Sequence, residues 1–323
     1  TVIALAVIAR RAQPTLILVH TKELLHQWVE RIATFLGIDA GRIGDGSCEI
    51  RPVTVAIVNS ARNRLSELPA HFGQICVDEC HRVPASLYTD VVTAFDCQYS
   101  LGLSATAFRR DGLTCLIHLF LGDTVWKIDP KELQTTGAVL QPQFIQRPTE
   151  FKYVYRGDYQ ALMKALTKND TRNRLIATDI LEEAHRGEGT VLVVSDRVAH
   201  CEQLAELLEE AADQVRVAVL TGKTPAEERE SLVSAIRENR IDVLIATLQL
   251  IGEGFDCPNL RSLFLTTPIK FSGRVHQVVG RILRPEEGKI PRVIDYVDQC
   301  SLLQKTARAR QRLFSDNDPY LLP

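Results

Sequence analysis

Short apolar runs alternate with helix-patterned segments along most of the chain, and this alternation constrains the fold more than any other feature. Residues 22–35 illustrate the helical pattern, in which Leu24, Leu25, Trp28, Ile32 and Phe35 share one face. Strands that alternate with helices are typical of parallel βαβ units, so the sequence predicts an α/β fold. The predicted strands are 16–20, 53–59, 74–79, 99–106, 190–195, 215–221, 242–247, 262–267 and 292–297.

The strand and helix patterns fall into two halves, and 323 residues are enough for two domains. Residues 142–158 combine proline, arginine and aromatic residues without an apolar period, which indicates a connection, and we set the linker at 147–158. The sequence therefore predicts two parallel-sheet domains, 1–146 and 159–299, followed by a basic tail, 300–323.

Composition excludes some classes of protein. The net charge of −2 excludes a uniformly basic nucleic-acid coat but allows a local basic groove. No apolar run has the length of a membrane span. The eight cysteines are scattered, and this favours reduced thiols in the cytoplasm. Cys76 and Cys80 have a spacing seen in zinc sites, but Cys76 falls inside a predicted strand and no second pair follows, so a metal knuckle is disfavoured.

Two adjacent carboxylates, Asp78 and Glu79, end the predicted strand at 74–79. The carboxyl ends of parallel strands are where open α/β sheets bind ligands. One carboxylate can hold Mg²⁺ through its waters while its neighbour orients an attacking water. The alternative is that Asp78 caps the following segment and Glu79 is solvated.

A polar stripe is predicted on a helix at 273–284. Gln277, Arg281 and Arg284 recur at i, i+4 and i+7, opposite an apolar stripe. Gly280 lowers helix stability and suggests close approach by another surface. Two permanently charged guanidiniums suit a triphosphate, although a solvated polar face has the same pattern.

Asp78-Glu79-Cys80-His81 resembles the DExH box of superfamily 2 helicases, and the remaining motifs of that family follow in order. The closest likeness is to XPB-like helicases and to the restriction-enzyme motors of prokaryotic conflict systems. The resemblance implies two RecA-like domains in tandem. The matching segments are 16–28 (motif Ia), 100–112 (motif III), 191–197 (motif IV), 245–258 (motif V) and 276–285 (motif VI).

The resemblance implies an ATP-driven motor that binds ATP and Mg²⁺ between its two lobes. Asp78 would hold Mg²⁺ through water, Glu79 would position the attacking water, and Arg281 and Arg284 would stabilise the transferred phosphoryl group. Other residues that the resemblance places at the nucleotide are Thr1, His81, Gly254, Asp256 and Gln277.

The resemblance also implies a nucleic-acid track, DNA or RNA, and residues that couple hydrolysis to movement of the lobes. Ser104 and Thr106 match the coupling motif, although Ala107 stands where the family usually has proline. Thr21 opens a helix, so it can meet a phosphate or act as a plain N-cap. The remaining candidates for nucleic-acid contacts are Arg109, Arg110, Thr247, Lys270 and Arg274.

The printed sequence has no Gly-x-x-x-x-Gly-Lys-Ser/Thr loop before motif Ia. Residues 1–11 resemble the helix that follows that loop, with Thr1 as its last residue. We therefore expect an N-terminally truncated first domain that lacks its P-loop strand, and weak ATP turnover by these residues alone. Gly222-Lys223-Thr224 is not a substitute, because Val217 occupies the position of the first glycine and Thr224 to Glu227 has the pattern of a capping box.

Two other classes of function stay open on the sequence. A pseudoenzyme that only binds nucleic acid or a partner is disfavoured, because the acidic and arginine motifs are both present. A nuclease needs further clustered acids and a lysine near Asp78. A motor of this kind would work with nuclease, primase or restriction modules and has no need of a membrane.

Overall fold

The computed structural model describes residues 1–83, 86–104, 113–128, 130–187, 189–211, 214–252, 259–269, 279–280, 282–283, 286 and 288–314. The chain divides into two compact units, Thr1–Lys127 and Ile128–Pro323. Each unit is an α/β domain built on one six-stranded sheet, which confirms the predicted fold class.

Unit 1 has the strand order β3-β2-β4-β1-β5-β6, in which every neighbouring pair is parallel except β2 and β3. Its strands are β1 (Thr15–Val19), β2 (Gly41–Gly44), β3 (Ser47–Glu49), β4 (Val53–Ile57), β5 (Gln74–Val77) and β6 (Tyr99–Gly102). Its helices are α1 (Val2–Arg11), α2 (Lys22–Leu36), α3 (Val58–Arg62), α4 (Ser86–Thr93) and α5 (Thr114–Leu121).

Unit 2 has the order β7-β12-β11-β8-β10-β9, and all of these pairs are parallel. Its strands are β7 (Gln143–Lys152), β8 (Thr190–Ser195), β9 (Val217–Leu220), β10 (Val243–Thr247), β11 (Leu260–Leu265) and β12 (Arg292–Gln299). Its helices are α6 (Pro130–Thr135), α7 (Tyr159–Thr167), α8 (Asp170–Ala184), α9 (Val198–Ala211), α10 (Ala226–Arg237), α11 (Leu248–Gly252) and α12 (Ser301–Phe314).

Each sheet is covered on both faces, as expected for parallel sheets. Successive residues of β1 point to opposite faces, so Leu16 packs into one core cluster with Ile75 and Ile17 packs into the other with Trp28. β8 divides its side chains between two clusters of unit 2 in the same way. This double burial explains why the central strands read as continuous apolar runs.

Helix α2 follows its sequence pattern closely, with one exception. The Thr21 side chain accepts a hydrogen bond from the Leu24 N–H at 3.2 Å and caps the first turn. Gly37, at a left-handed φ of 66°, ends the helix. Trp28 and Ile32 are buried, but Phe35 is 57% exposed, so the predicted apolar face stops one turn early.

The boundary between the units does not coincide with the predicted linker. Residues 143–152 form β7, whose register with β12 pairs Gln143 with Arg292, so the predicted linker 147–158 begins inside a strand of the second sheet. The division between units lies at 127/128 instead. Most of the predicted tail is α12, which buries Leu303 and Ala307.

The predicted capping box of α10 does not form. Pro225 is the N-cap and makes no side-chain cap, while the Thr224 hydroxyl accepts a hydrogen bond from the Thr221 N–H at 3.0 Å. The local turn outcompetes the cap for the same hydroxyl.

Two buried ion pairs tie helices to β12 in unit 2. The Arg172 Nε of α8 donates to the Asp298 Oδ1 at 2.7 Å, and both side chains are at most 2% exposed. The Arg310 Nε of α12 donates to the Asp295 Oδ1 at 2.8 Å, again with both groups buried. Burial of such charges is tolerated only when they are paired and hydrogen-bonded.

A buried histidine links three elements of the same unit. The His200 Nδ1 lies 3.0 Å from the Ser195 Oγ, and its Nε2 lies 3.1 Å from the Asn173 Oδ1. Burial, aided by the nearby positive charge of Arg172, lowers the pKa of His200 to about 3. The imidazole is therefore neutral and spans β8, α8 and α9.

Among the described residues, no helix has both the length and the apolar character that crossing a bilayer requires.

Candidate active site

The carboxyl end of β5 places Asp78 and Glu79 at the edge of the first sheet. The Asp78 N–H donates to the Leu18 carbonyl at 3.1 Å, so pairing with β1 continues one residue beyond the strand. Glu79 then adopts a left-handed backbone with φ of 50°, and the Cys80 N–H donates to the Leu103 carbonyl at 2.8 Å. A non-glycine residue in this conformation is uncommon and persists only where its surroundings hold it, which is frequent at functional sites.

The carboxylate of Asp78 is held at both oxygens. Its Oδ2 accepts the indole N–H of Trp28 at 2.8 Å, and its Oδ1 accepts the N–H of Glu79 at 3.0 Å. The short helical turn Cys80–Arg82 that follows has no side-chain cap. The alternative in which Asp78 caps this segment therefore has no support in the geometry.

His81 lies between Glu79 and Ser104 and contacts both side chains. The His81 Nδ1 lies 3.3 Å from the Glu79 Oε2 and 3.0 Å from the Ser104 Oγ. The Glu79 side chain is 21% exposed, which does not match the alternative of a freely solvated glutamate. His81 thus joins the segment after β5 to the segment after β6, two predicted motifs that are 23 residues apart in sequence.

Close approach of β6 to this turn depends on Gly102. The register pairs Val77 with Gly102, and a Cβ added to Gly102 would lie 2.9 Å from the Leu121 Cδ1 and 3.1 Å from the Cys80 Sγ. Burial raises the pKa of the Cys80 thiol to about 11, so Cys80 packs as a neutral group. The glycine lets the Ser104 segment reach His81.

Helix α1 begins beside the same carboxylate. Thr1 lies near enough to Asp78 for an electrostatic interaction between the two residues. The Thr1 side chain makes no cap to α1. The structure therefore brings Thr1, Asp78, Glu79, His81 and Ser104 to one region of unit 1.

Thr21 lies at the carboxyl end of the neighbouring strand, β1. Its hydroxyl is engaged as the N-cap of α2, and the first turn of that helix is tied to the β2–β3 turn. Lys22 pairs with Asp45, and the His26 Nε2 lies 3.0 Å from the other carboxylate oxygen of Asp45. The cap and the predicted phosphate contact are compatible, since the other amides of a helix N-terminus remain available.

In unit 2, hydroxyl side chains line the carboxyl edge of the sheet. Thr247 ends β10, is 9% exposed and pairs in register with Ser195 at the end of β8. The Thr267 Oγ1 accepts a hydrogen bond from the Asp196 N–H at 3.0 Å. Burial raises the pKa of Asp196, whereas the charge of Arg197 lowers it.

The other predicted site residues lie outside the described part of the chain. They are Thr106, Arg109, Arg110, Gly254, Asp256, Lys270, Arg274, Gln277, Arg281 and Arg284.

The sequence did not single out Trp28 as a site residue, although it ends the segment that resembles motif Ia, because its place in an apolar stripe indicated a core residue. A buried indole N–H usually finds an acceptor, and this rule is the signal that was available. The pattern alone did not identify Asp78 as that acceptor.

The carboxylate oxygens of the site are suitable ligands for a hydrated magnesium ion. Asp78 presents two carboxylate oxygens, each with one hydrogen bond and further lone pairs free. The described residues include no cluster of three or more His, Cys, Asp or Glu side chains able to hold a metal. One or two carboxylates with waters and substrate phosphates are the usual coordination of Mg²⁺ in nucleotide sites.

Comparison with known families identifies both units. Residues 1–109 match the model described as type III restriction enzyme, res subunit, and residues 172–286 match the helicase conserved C-terminal domain. The chain is 27% identical over 98% of its length to "Probable helicase D10" of Escherichia phage T5, of which it covers 69%. It is 26% identical over 96% of its length to the DNA 3'-5' translocase XPB2 of Sulfurisphaera tokodaii, of which it covers 78%.

Solved structures show the same fold. A fragment of an HsdR subunit of a type I restriction enzyme from Vibrio vulnificus superposes with a TM-score of 0.69 at 20% identity, covering 96% of this chain and 56% of that one. Together with the two domain models and the relatives, this fold confirms the resemblance carried by the motifs. The chain belongs to the superfamily 2 helicases and is related to the motors of restriction enzymes.

Proposed function

We propose that this protein is an ATP-dependent DNA translocase or helicase whose hydrolytic centre includes Asp78 and Glu79. The observation that carries the proposal is the group formed by Asp78, Glu79, His81 and Ser104 at the carboxyl edge of the first sheet. Its placement matches the edge at which α/β sheets bind ligands. DNA is favoured over RNA because the relative from Sulfurisphaera tokodaii is named as a DNA translocase.

Each residue of the group has a distinct task in the proposal. The Asp78 carboxylate holds the hydrated cation, and Glu79 accepts a hydrogen bond from the attacking water and orients it. His81 contacts Glu79 and Ser104 and so connects them, and a change at one segment is transmitted to the other. When bound, Mg²⁺ would neutralise negative charge on the phosphates of ATP, and ATP would supply the phosphoryl group that is transferred.

The roles of the remaining site residues are proposed from the sequence motifs that contain them. Arg281 and Arg284 stabilise negative charge on the phosphoryl group, as permanently charged guanidiniums can do at full strength in a dry site. Gln277, Gly254 and Asp256 contact the nucleotide, and Thr106 acts in coupling together with Ser104. Thr1 contributes at the phosphate end of the nucleotide.

Nucleic acid is held by hydroxyls and amides rather than by a broad basic face. Thr21, with the amides of the first turn of α2, and Thr247 serve as phosphate contacts on the two units. Further phosphate contacts are proposed for four cationic side chains, Arg109, Arg110, Lys270 and Arg274. A restriction-type nuclease or related module is the proposed partner, because the model matched by unit 1 describes a restriction-enzyme subunit.

The decisive experiment compares Glu79→Gln with Glu30→Gln in the full-length protein. Glu30 is exposed on α2, which makes it a charge-matched control outside the site. We expect Glu79→Gln to lower ATP turnover at least about 100-fold, the scale on which a positioned catalytic base contributes, while DNA affinity stays unchanged. Steady-state phosphate release and DNA binding by fluorescence anisotropy measure the two quantities.

The other outcomes separate the alternatives. DNA binding without nucleotide turnover in the wild-type protein would favour a non-hydrolysing binding protein. Equal turnover by Glu79→Gln and by the wild type would remove Glu79 from the hydrolytic centre. Divalent-metal-dependent strand cleavage abolished by Glu79→Gln would favour a nuclease.

A further inference from the structure

A buried tryptophan contacts the carboxylate that is proposed to hold the metal. Trp28 is 1% exposed in the middle of α2, and its indole N–H donates to the Asp78 Oδ2 at 2.8 Å across 50 residues of sequence. A buried indole N–H needs an acceptor. Here that acceptor is an ionisable side chain at the mouth of the candidate site, not a backbone carbonyl.

We propose that Trp28 is a positioning residue that fixes the orientation of the Asp78 carboxylate for cation binding. This inference rests on the proposed function of Asp78. The Glu79 N–H donates to one carboxylate oxygen and the Trp28 indole N–H donates to the other. Rotation of the carboxylate about the Cβ–Cγ bond would therefore break both hydrogen bonds. Partners of this kind orient metal-binding groups and set their affinity.

Trp28 is well placed for this task because of its contact with the Asp78 side chain. In the part of the chain that the structure describes, Trp28 is the one side chain that donates a hydrogen bond to Asp78. Its neighbours on the buried face of α2, Leu25 and Ile32, are apolar and pack only into the core. Loss of the indole N–H would leave the Oδ2 without a side-chain donor from the described residues.

The contact also places two proposed functions on one rigid element. Thr21 caps α2 and lies seven residues before Trp28, about 10 Å along a helix that rises 1.5 Å per residue. A shift of α2 on binding of a phosphate at its first turn would therefore move the donor to Asp78. The tryptophan links the proposed nucleic-acid contact with the proposed cation site inside unit 1.

The first test reads the indole N–H directly by NMR. The sequence has two tryptophans, and Trp126 is 74% exposed, so the Trp126→Phe variant assigns the signal of Trp28. We expect Mg²⁺ to shift the Trp28 signal and Mn²⁺ to broaden it, and we expect Asp78→Asn to remove both effects. If the Trp28 signal neither shifts with Mg²⁺ nor broadens with Mn²⁺ at saturating concentrations, the proposal is overturned.

The second test separates positioning from packing. In Trp28→Phe the ring is kept and the N–H is lost, and we expect the Mg²⁺ concentration for half-maximal ATP turnover to rise about 10- to 100-fold, with turnover recovering at saturating Mg²⁺. Ile32→Ala is the control, since Ile32 is fully buried in the same helix and core cluster. It should lower the melting temperature without changing the Mg²⁺ requirement. An equal change in that requirement for both variants, or none for Trp28→Phe, would refute the positioning role.

The two tests also distinguish failure of this inference from failure of the proposed function. A wild-type protein that hydrolyses no ATP would contradict the proposed function, while the indole titration would still decide whether Trp28 reports metal at Asp78. A protein with normal turnover and an unchanged Mg²⁺ requirement in Trp28→Phe would contradict only the role of Trp28.

Discussion

Acidification should destabilise unit 2 through one buried histidine, His200. This side chain is 1% exposed, and its ring nitrogens lie 3.0 Å from the Ser195 Oγ and 3.1 Å from the Asn173 Oδ1. Burial first, and the charge of Arg172 second, lower its pKa to about 3. Protonation in the folded state would give a buried imidazolium with no carboxylate among its hydrogen-bond partners.

The size of the effect follows from linkage between folding and proton binding. An unfolded histidine has a pKa of about 6.5, so at pH 5 the unfolded chain binds nearly one proton that the native state does not bind. The stabilisation is complete above pH 6.5 and is lost as the pH falls toward 3. Between pH 7.5 and pH 5, the free energy of unfolding should fall by about 2 kcal/mol from this group alone.

The assay is urea denaturation between pH 7.5 and pH 5 for the wild type and His200→Gln. Hydrogen exchange of β8 amides assigns the change to unit 2. The glutamine amide can still donate to Asn173 but does not titrate, so this variant should be less stable at neutral pH and should lack the extra slope. His185→Asn removes an exposed histidine from the end of α8 and should keep the wild-type slope, because His200 is still present. Equal pH slopes for the wild type and His200→Gln would refute the assignment.

Two further predictions concern packing. Replacement of Arg172 with alanine leaves its carboxylate partner buried and uncompensated, so it should lower the free energy of unfolding by about 3–5 kcal/mol in urea denaturation; exposed Arg174 of the same helix is the control and should cost far less. Similar losses for both variants would contradict this account. Replacement of Gly102 with alanine places a Cβ 3.1 Å from the Cys80 Sγ and should cost unit 1 about 1–3 kcal/mol in thermal denaturation. Gly222→Ala meets open space and is the control; an unchanged melting temperature for Gly102→Ala would argue against the tight contact.

Local pattern was sufficient where each residue's neighbours in sequence set its environment. The period of apolar residues predicted α2 and the buried strands, because a strand covered on both faces must be apolar throughout. The polar pair at the end of β5 was predicted for the same reason: Asp78 and Glu79 interrupt an apolar run where the strand leaves the sheet.

Pattern failed where non-local pairing decided the outcome. Residues 143–152 mix proline and charged residues, yet they form β7, because an edge strand needs only one paired side and tolerates polar residues on its faces. The basic residues near the C-terminus indicated a basic tail, and the pattern did not predict that Arg310 is buried against Asp295. The partner that makes such burial possible lies on another element.

The amino-acid sequence by itself determined the two α/β halves, the order of the helicase motifs and the place of the acidic pair at a strand end, because periodicity and turn chemistry act over a few residues. Only the tertiary structure decided the strand order and the contacts of Trp28 with Asp78 and of His81 with Ser104. Those contacts join residues 50 and 23 positions apart, and their distances depend on how whole elements pack. No local preference of the chain encodes that packing.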